Sequence, residues 1–273
     1  MPDPPHRDGP RWSRYGLRSV AILYMSLLVI VPVAMVGWRT FEHGLQPFLD
    51  ALSEPSVLRS FRLTAMVAGV AVVLNTVFGV GVSLILVRYR FPGRRALSAV
   101  IDLSLSVSPV VIGLALILVY GRTGWLGAGL EDAGVKVIFA TPGMILATTI
   151  VSLPLVIREV VPVLEEIGIE QEQAAQSLGA GGWQTFRRIT LPSIKWAVAY
   201  GVVLSLARSL GEFGAVKIVS GNLMNRTQTA TLLIEQRYQD FDQPTAYAAS
   251  FVLASVAVIC IIAISIIRPK EHS

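Results

Sequence analysis

Six stretches of the chain are apolar on every side and carry few charges: residues 19–38, 63–87, 97–120, 137–157, 196–216 and 246–267. Each has at least 20 residues, and a helix of about 20 residues crosses a hydrocarbon core of roughly 30 Å. The other spanning solution, a closed barrel, needs strands that alternate apolar and polar side chains over about 10 residues, and these runs do not alternate. The pattern therefore predicts an all-α membrane protein with six transmembrane helices.

One polar segment has a period of its own. In VLEEIGIEQEQAAQSLGAGGWQTFRRITL, residues 163–191, Leu164, Ile167, Gln171, Ala174, Ala175 and Leu178 recur at helical spacing, while Glu165, Glu166, Glu170 and Glu172 occupy the other faces. A short amphipathic helix is expected there. Gly179 follows its last apolar position and is the expected left-handed C-cap, with Gly181 and Gly182 extending the turn. A second helix is expected from about Trp183. Thr190, Leu191 and Pro192 mark its end or its redirection into the fifth run, since proline lacks the donor a helix interior requires.

Composition narrows the class. With 53% hydrophobic and 15% charged residues in 273 and a mean hydropathy of +0.62, the bilayer is the expected solvent. The single cysteine, Cys260, lies within the last run, which leaves no intrachain disulfide and no thiolate metal site. His6, His43 and His272 are far apart in sequence, so no metal site is expected. The pI of about 9.6 does not point to nucleic acid, because the basic residues sit at the ends of apolar runs and not on one domain. They set topology. With the N-terminus inside, the inner segments hold 14 Lys and Arg over 71 residues, against 8 over 69 outside. Arg7, Arg11, Arg14 and Arg18 precede the first run, and Arg88, Arg90, Arg94 and Arg95 crowd one nine-residue loop. Both termini and the 163–192 loop should be cytoplasmic. The first run lacks a small-x-small cleavage site and reads as a retained anchor. Residues 1–18, opening with Pro2, Pro4, Pro5 and Pro10, read as a flexible tail, 19–56 as the first span and its outer loop, 57–267 as one membrane domain, and 268–273 as a second tail.

Charges within spans are expensive, about 2.5–3.5 kcal/mol each at the centre on insertion scales. Arg208 and Glu212 in the fifth run are four apart, so on one helix they would neutralise each other. The alternative is that Arg208 faces a pathway and attracts a dianion. Asp102 is expected to pair with Arg94, Arg95 or a neighbouring chain. Ser104, Ser106 and Ser108 precede Pro109, which could kink the third span and free carbonyls near a gate, or the serines could serve close packing. Ser106, Ser108, Arg208 and Glu212 are the pathway candidates.

Ala174-Ala175, three residues, Gly179, nine residues, Ile189, one residue, then Leu191-Pro192 resembles the EAA loop of ABC importer permeases. The resemblance implies a coupling helix seated in a groove of a cytoplasmic ATPase, with Gln173, Ala174, Ala175, Gly179, Ile189, Leu191 and Pro192 as its residues. Gln173 stands where the family carries an acidic residue. Glu172, one position earlier, points about 100° away on an ideal helix and is no equivalent. RYRFPGRR at 88–95, LSLSVSPVVIGLALILVYG at 103–121, ARSLGEFGAVKIVSGN at 207–222 and TQTATLLIEQRYQDFD at 227–242 are similar to the sulfate and thiosulfate permeases, closest to the CysW-type subunit. That likeness implies a type I (MetI-like) fold in the bacterial inner membrane. It also implies a paralogous CysT-type permease, two ATPase subunits carrying ATP and Mg, and a periplasmic sulfate-binding protein. No G-x-x-x-x-G-K-[ST] occurs, and GAGGWQTF lacks the lysine of a P-loop, so this chain should hold no cofactor and catalyse nothing itself. A molybdate or tungstate permease is the alternative within the class. A secondary anion transporter is the alternative outside it, and would leave the 174–192 loop without a purpose.

Overall fold

The computed structural model describes residues 11–42 and 44–267. The expected tails at 1–10 and 268–273, and the three histidines, lie outside the described residues. The chain runs α1 (Arg11–Phe41), α2 (Leu45–Ser53), α3 (Pro55–Arg88), α4 (Arg94–Ser106), α5 (Pro109–Tyr120), α6 (Gly127–Asp132), α7 (Thr141–Glu166), α8 (Glu170–Ser177), α9 (Gly182–Thr185), a π turn (Phe186–Thr190), α10 (Leu191–Leu210), α11 (Gly214–Ser220), α12 (Ala230–Gln239) and α13 (Gln243–Ile267). No strand occurs among the described residues. Five helical stretches are long and apolar enough to cross a membrane, six if the bent pair α4–α5 is one span. α1 begins at Arg11, inside the segment read as a tail. It meets α13 near its own C-terminus, where the Phe41 and Phe251 rings are 5.1 Å apart and Thr40 donates to the Tyr247 carbonyl at 3.1 Å.

α3, α7 and α10 form the centre. Lipid tails are as apolar as leucine, so helices associate in a membrane through small residues and hydrogen bonds. Here two glycines converge on one residue, Gly79 on its side chain and Gly201 on its backbone. A Cβ added to Gly79 would lie 2.8 Å from Val156 Cγ1, and one on Gly201 would lie 3.0 Å from Val156 Cα. Val156 is fully buried. Two apolar clusters lie on either side of a polar layer: Val80, Val156, Val160, Leu164 and Ile194 towards α8, and Val67, Leu116, Met144, Ala147 and Val216 among others towards the far end. In the layer Asn75 donates to Ser205 at 3.0 Å and Ser209 to Ser152 at 3.2 Å.

The third apolar run is not one straight helix. α4 and α5 meet at 116°, because Val107 and Ser108 are extended before Pro109, as a residue preceding proline prefers. α4 lies antiparallel along the α8-side half of α7, with Arg94 3.7 Å from Glu165, Asp102 2.9 Å from Arg158 and Ser104 donating to the Ile150 carbonyl at 2.7 Å. α5 then carries Ile112 and Leu116 into the far cluster. The expected partner of Asp102 is thereby corrected: Arg158 of the facing helix takes it, and Arg94 turns to Glu165.

Two further boundaries differ from expectation. α7 continues through Pro154 and Pro162 to Glu166 and buries Leu164. Gly168, at φ +64°, then separates it from α8, so Leu164 and Leu178 do not share one helix. In the fifth run α10 stops at Leu210, and Gly211–Phe213 are non-helical before α11. Towards its other end, residues 182–210 form one continuous helix. The π turn explains how it passes Pro192. That residue offers no N–H to the turn before it, and the Leu191 N–H reaches back to the Phe186 carbonyl instead, a one-residue bulge that keeps the helix going.

Candidate functional site

α8 caps one end of the bundle and buries none of its residues. Its geometry depends on both termini. At the C-terminus Leu178 is the last near-helical residue and Gly179 adopts φ +87°. The Gly179 N–H bonds to the Gln176 carbonyl at 2.9 Å and the Ala180 N–H to the Ala175 carbonyl at 3.0 Å. This pair of bonds is a Schellman cap, and it matches the left-handed glycine expected at this position.

At the N-terminal turn α8 is anchored by a charge. Glu172 lies 3.0 Å from Arg88 Nε and accepts from Arg88 Nη2 at 3.2 Å and from the Thr190 hydroxyl at 2.8 Å. Arg88 Nη1 donates to the Leu164 carbonyl at 3.0 Å, one of the orphan acceptors at the end of α7. The two charged side chains are only 12% and 17% exposed. One ion pair thus joins the end of α3, the end of α7, α8 and the π turn. On helical geometry alone Glu172 points the wrong way for the family's acidic position. That direction is inward, onto Arg88, and it leaves Gln173 and Ala174 exposed, while Ala175, three positions on and so on the Glu172 side, is half-buried.

The outer side is apolar where it should not be. Leu178 is 89% and Trp183 73% exposed, the Trp183 ring standing 5.4 Å from that of Phe186. Leu191 and Pro192 are exposed and Ile189 half-buried along the returning helix, while Thr190 between them is buried. The loop residues Gln173, Ala174, Ala175 and Gly179 thus lie on the projecting α8 and its C-terminal cap. Ile189 follows in the π turn, and Leu191 and Pro192 open α10.

The pathway candidates cluster elsewhere, at two helix breaks that touch. A Cβ on Gly214 would lie 3.1 Å from Pro109 Cβ, which sets the Ser108–Pro109 bend against the start of α11. Arg208 and Glu212 are 2.6 Å apart, so the expected pair forms, but not on one helix: Glu212 lies in the break. Its second oxygen accepts the Ala215 N–H at 3.0 Å, and its carbonyl accepts the Thr231 hydroxyl at 2.9 Å. Glu212 is buried while 37% of the Arg208 side chain stays exposed. Ser106 is exposed and donates to the Asp102 carbonyl at 3.2 Å. Broken helices meeting in the middle of a bundle free backbone groups that a polar solute can use.

Residues 75–270 match the family described as binding-protein-dependent transport system inner membrane component. The chain is 47% identical to the sulfate transport system permease protein CysW of Synechococcus elongatus, over 90% of this chain and 86% of that protein. It is 36% identical to the sulfate transport system permease protein CysT of Salmonella typhimurium, over 92% and 91% of the two chains. Among solved structures, a bacterial alginate ABC transporter chain superposes with a TM-score of 0.78 at 18% identity, covering 93% of this chain and 92% of that one, a likeness of fold.

Proposed function

The chain belongs to the inner-membrane components of binding-protein-dependent transport systems, among the sulfate permeases of the CysW type, and from that membership we propose how it works. It is one of two permeases of an ATP-driven importer of sulfate and thiosulfate. The second is a CysT-type paralogue, two cytoplasmic ATPase subunits hold ATP and Mg, and a periplasmic protein delivers the anion. Six spans, with α4–α5 as a broken third, put both termini and α8 in the cytoplasm. The basic-residue asymmetry of the connecting segments supports this orientation.

The observation that carries the coupling role is α8 itself: an eight-residue helix with no buried residue, flanked by exposed Leu178 and Trp183 and tied by Glu172 to three other elements. An apolar surface of this kind fits the groove of a partner protein. The anion passes between the two permeases, past Arg208 with Glu212 behind it and the Ser106–Ser108 bend. Loss of the chain is expected to abolish high-affinity sulfate uptake and to be relieved by a reduced sulfur source. Unchanged uptake of radiolabelled sulfate in a clean deletion without a duplicate system would reject the reading, and loss of molybdate uptake in its place would favour the other oxyanion.

The docking role has its own test at Gly179. The position has open space around it but φ +87°, which costs a residue with a Cβ about 1–2 kcal/mol, so Gly179→Asp strains the cap without a clash. Insertion and pairing with the second permease should be normal, while ATPase association and sulfate uptake fall. Wild-type levels of both in Gly179→Asp and in Ala174→Glu would leave α8 as a headgroup-bound helix.

A further inference from the structure

We propose that Arg59, Arg62 and Arg226 form a vestibule at the end of the bundle opposite α8 that holds a small oxyanion, here sulfate, before it enters the pathway; the proposal rests on the sulfate reading above. Arg59 and Arg62 lie in the first turns of α3, three residues apart and so on one face. Arg226 comes from the loop before α12, next to Asn225 at φ +62°. With Asn225, Gln228 and Ser60, among others, they line a cavity of about 300 Å³ that no carboxylate borders.

The other cations of that end are arranged differently. Arg39 pairs with Glu42, Arg122 with Glu131, Lys217 with Glu235, and Arg237 with Glu54 and Asp242. Lys136 lies in a separate cavity that Glu131 also lines. Among the described residues, then, the three guanidinium groups without a carboxylate partner near this end share one cavity. They do so at the end where insertion disfavours positive charge. Unpaired positive charge between low-dielectric walls focuses its field on the cavity, and each planar guanidinium presents a pair of donors matched to an oxyanion edge. A polar route continues inward. One turn beyond Ser60, Thr64 accepts the Ala230 N–H at 2.8 Å, and the neighbouring Thr231 hydroxyl reaches the Glu212 carbonyl at 2.9 Å, beside Arg208.

The test uses the complete complex of both permeases and the ATPases in phosphatidylcholine nanodiscs, with radiolabelled sulfate as the probe and no binding protein added. The wild type should bind sulfate with an affinity that falls roughly tenfold in high salt, as expected for a charge-focusing cleft. The combined Arg59→Gln, Arg62→Gln, Arg226→Gln variant should start roughly tenfold weaker and be nearly independent of salt, and the corresponding lysine variant should retain most of the binding. Equal sulfate binding by the wild type and the glutamine variant overturns the proposal. So does a defect confined to docking of the binding protein, measured in a separate arm in which that protein is added, which would make the patch a protein contact. A charge effect seen only in discs containing phosphatidylglycerol would make it a headgroup site and also overturn it. Uptake by the wild type reconstituted in sealed liposomes, with the periplasmic binding protein supplied, separates the two levels: its absence rejects sulfate as the substrate, whereas normal uptake with an unaffected glutamine variant rejects the vestibule alone.

Discussion

Glu172→Ala should produce a permease that inserts and assembles but barely transports. The substitution leaves the Arg88 guanidinium, 12% exposed, without its counter-charge and the Thr190 hydroxyl without its acceptor. Removing one partner of a buried pair costs about 3–5 kcal/mol, and the residual exposure places this pair near the lower figure. The cost falls locally, because α8 buries nothing else that would hold it. A loss of about 3 kcal/mol shifts the balance between seated and released α8 by a factor on the order of 100. Hydrogen exchange in residues 169–180 should accelerate accordingly, sulfate uptake should fall at least tenfold on the same arithmetic, and the spans should keep their protection. Glu172→Gln, which can still accept from Thr190, should lie between the two. Wild-type exchange in the 169–180 segment of Glu172→Ala would show that the pair does not hold α8.

A second large effect is expected at the centre of the bundle. Gly79→Leu should prevent accumulation of folded chain, and Gly79→Ala should lower its thermal midpoint in detergent by several degrees. The first added carbon of either side chain lies 2.8 and 2.9 Å from Val156 Cγ1 and Cβ, with Val156 fully buried, and forcing extra carbons into a packed interior typically costs about 1–3 kcal/mol, more where the backbone cannot yield. The two glycines should respond differently to relief. Val156→Ala removes the closer of the two carbons that Gly79→Ala meets and should restore part of the loss. It should do little for Gly201→Ala, whose contact is the Val156 backbone at 3.0 Å. Equal rescue of both would mean that the helices move apart freely and that the close approach has no structural weight.

Gly179 was legible in the sequence because the end of an apolar period followed by glycine is a local signal, as is a proline after small residues at Ser108–Pro109. That the chain is all-helical, with several helices long and apolar enough to cross a membrane, was legible because length and apolarity are also local. Gly168 carries the same φ > 0 chemistry as Gly179 but stands inside an acidic stretch whose apolar period runs on through it, so the break between α7 and α8 was hidden. The Gly211–Phe213 break was masked in the same way, since Arg208 and Glu212 are spaced as helix neighbours and meet although the helix has ended. The anchor at Glu172 left no sequence signal. Its partner Arg88 is 84 positions away, and nothing in periodicity says which of Glu165, Glu166, Glu170 and Glu172 turns inward. Arg158 was hidden for the same reason: it lies just past the fourth apolar run, which ends at 157, and 56 positions from Asp102.

The uninterrupted helix from Gly182 to Leu210 makes a mechanical link of what would otherwise be two separate regions. At 1.5 Å per residue its 29 residues form a rod about 43 Å long. Trp183 stands at one end, beside the α8 surface, and the Arg208–Glu212 break at the other. A hydrogen-bonded helix is stiff along its axis, so an axial push near Trp183 arrives at Leu210 with little loss. A sideways load is different, because the π turn at Phe186–Thr190 lies just past the loaded end and is the compliant point. Such a rod conveys thrust and gives way to bending.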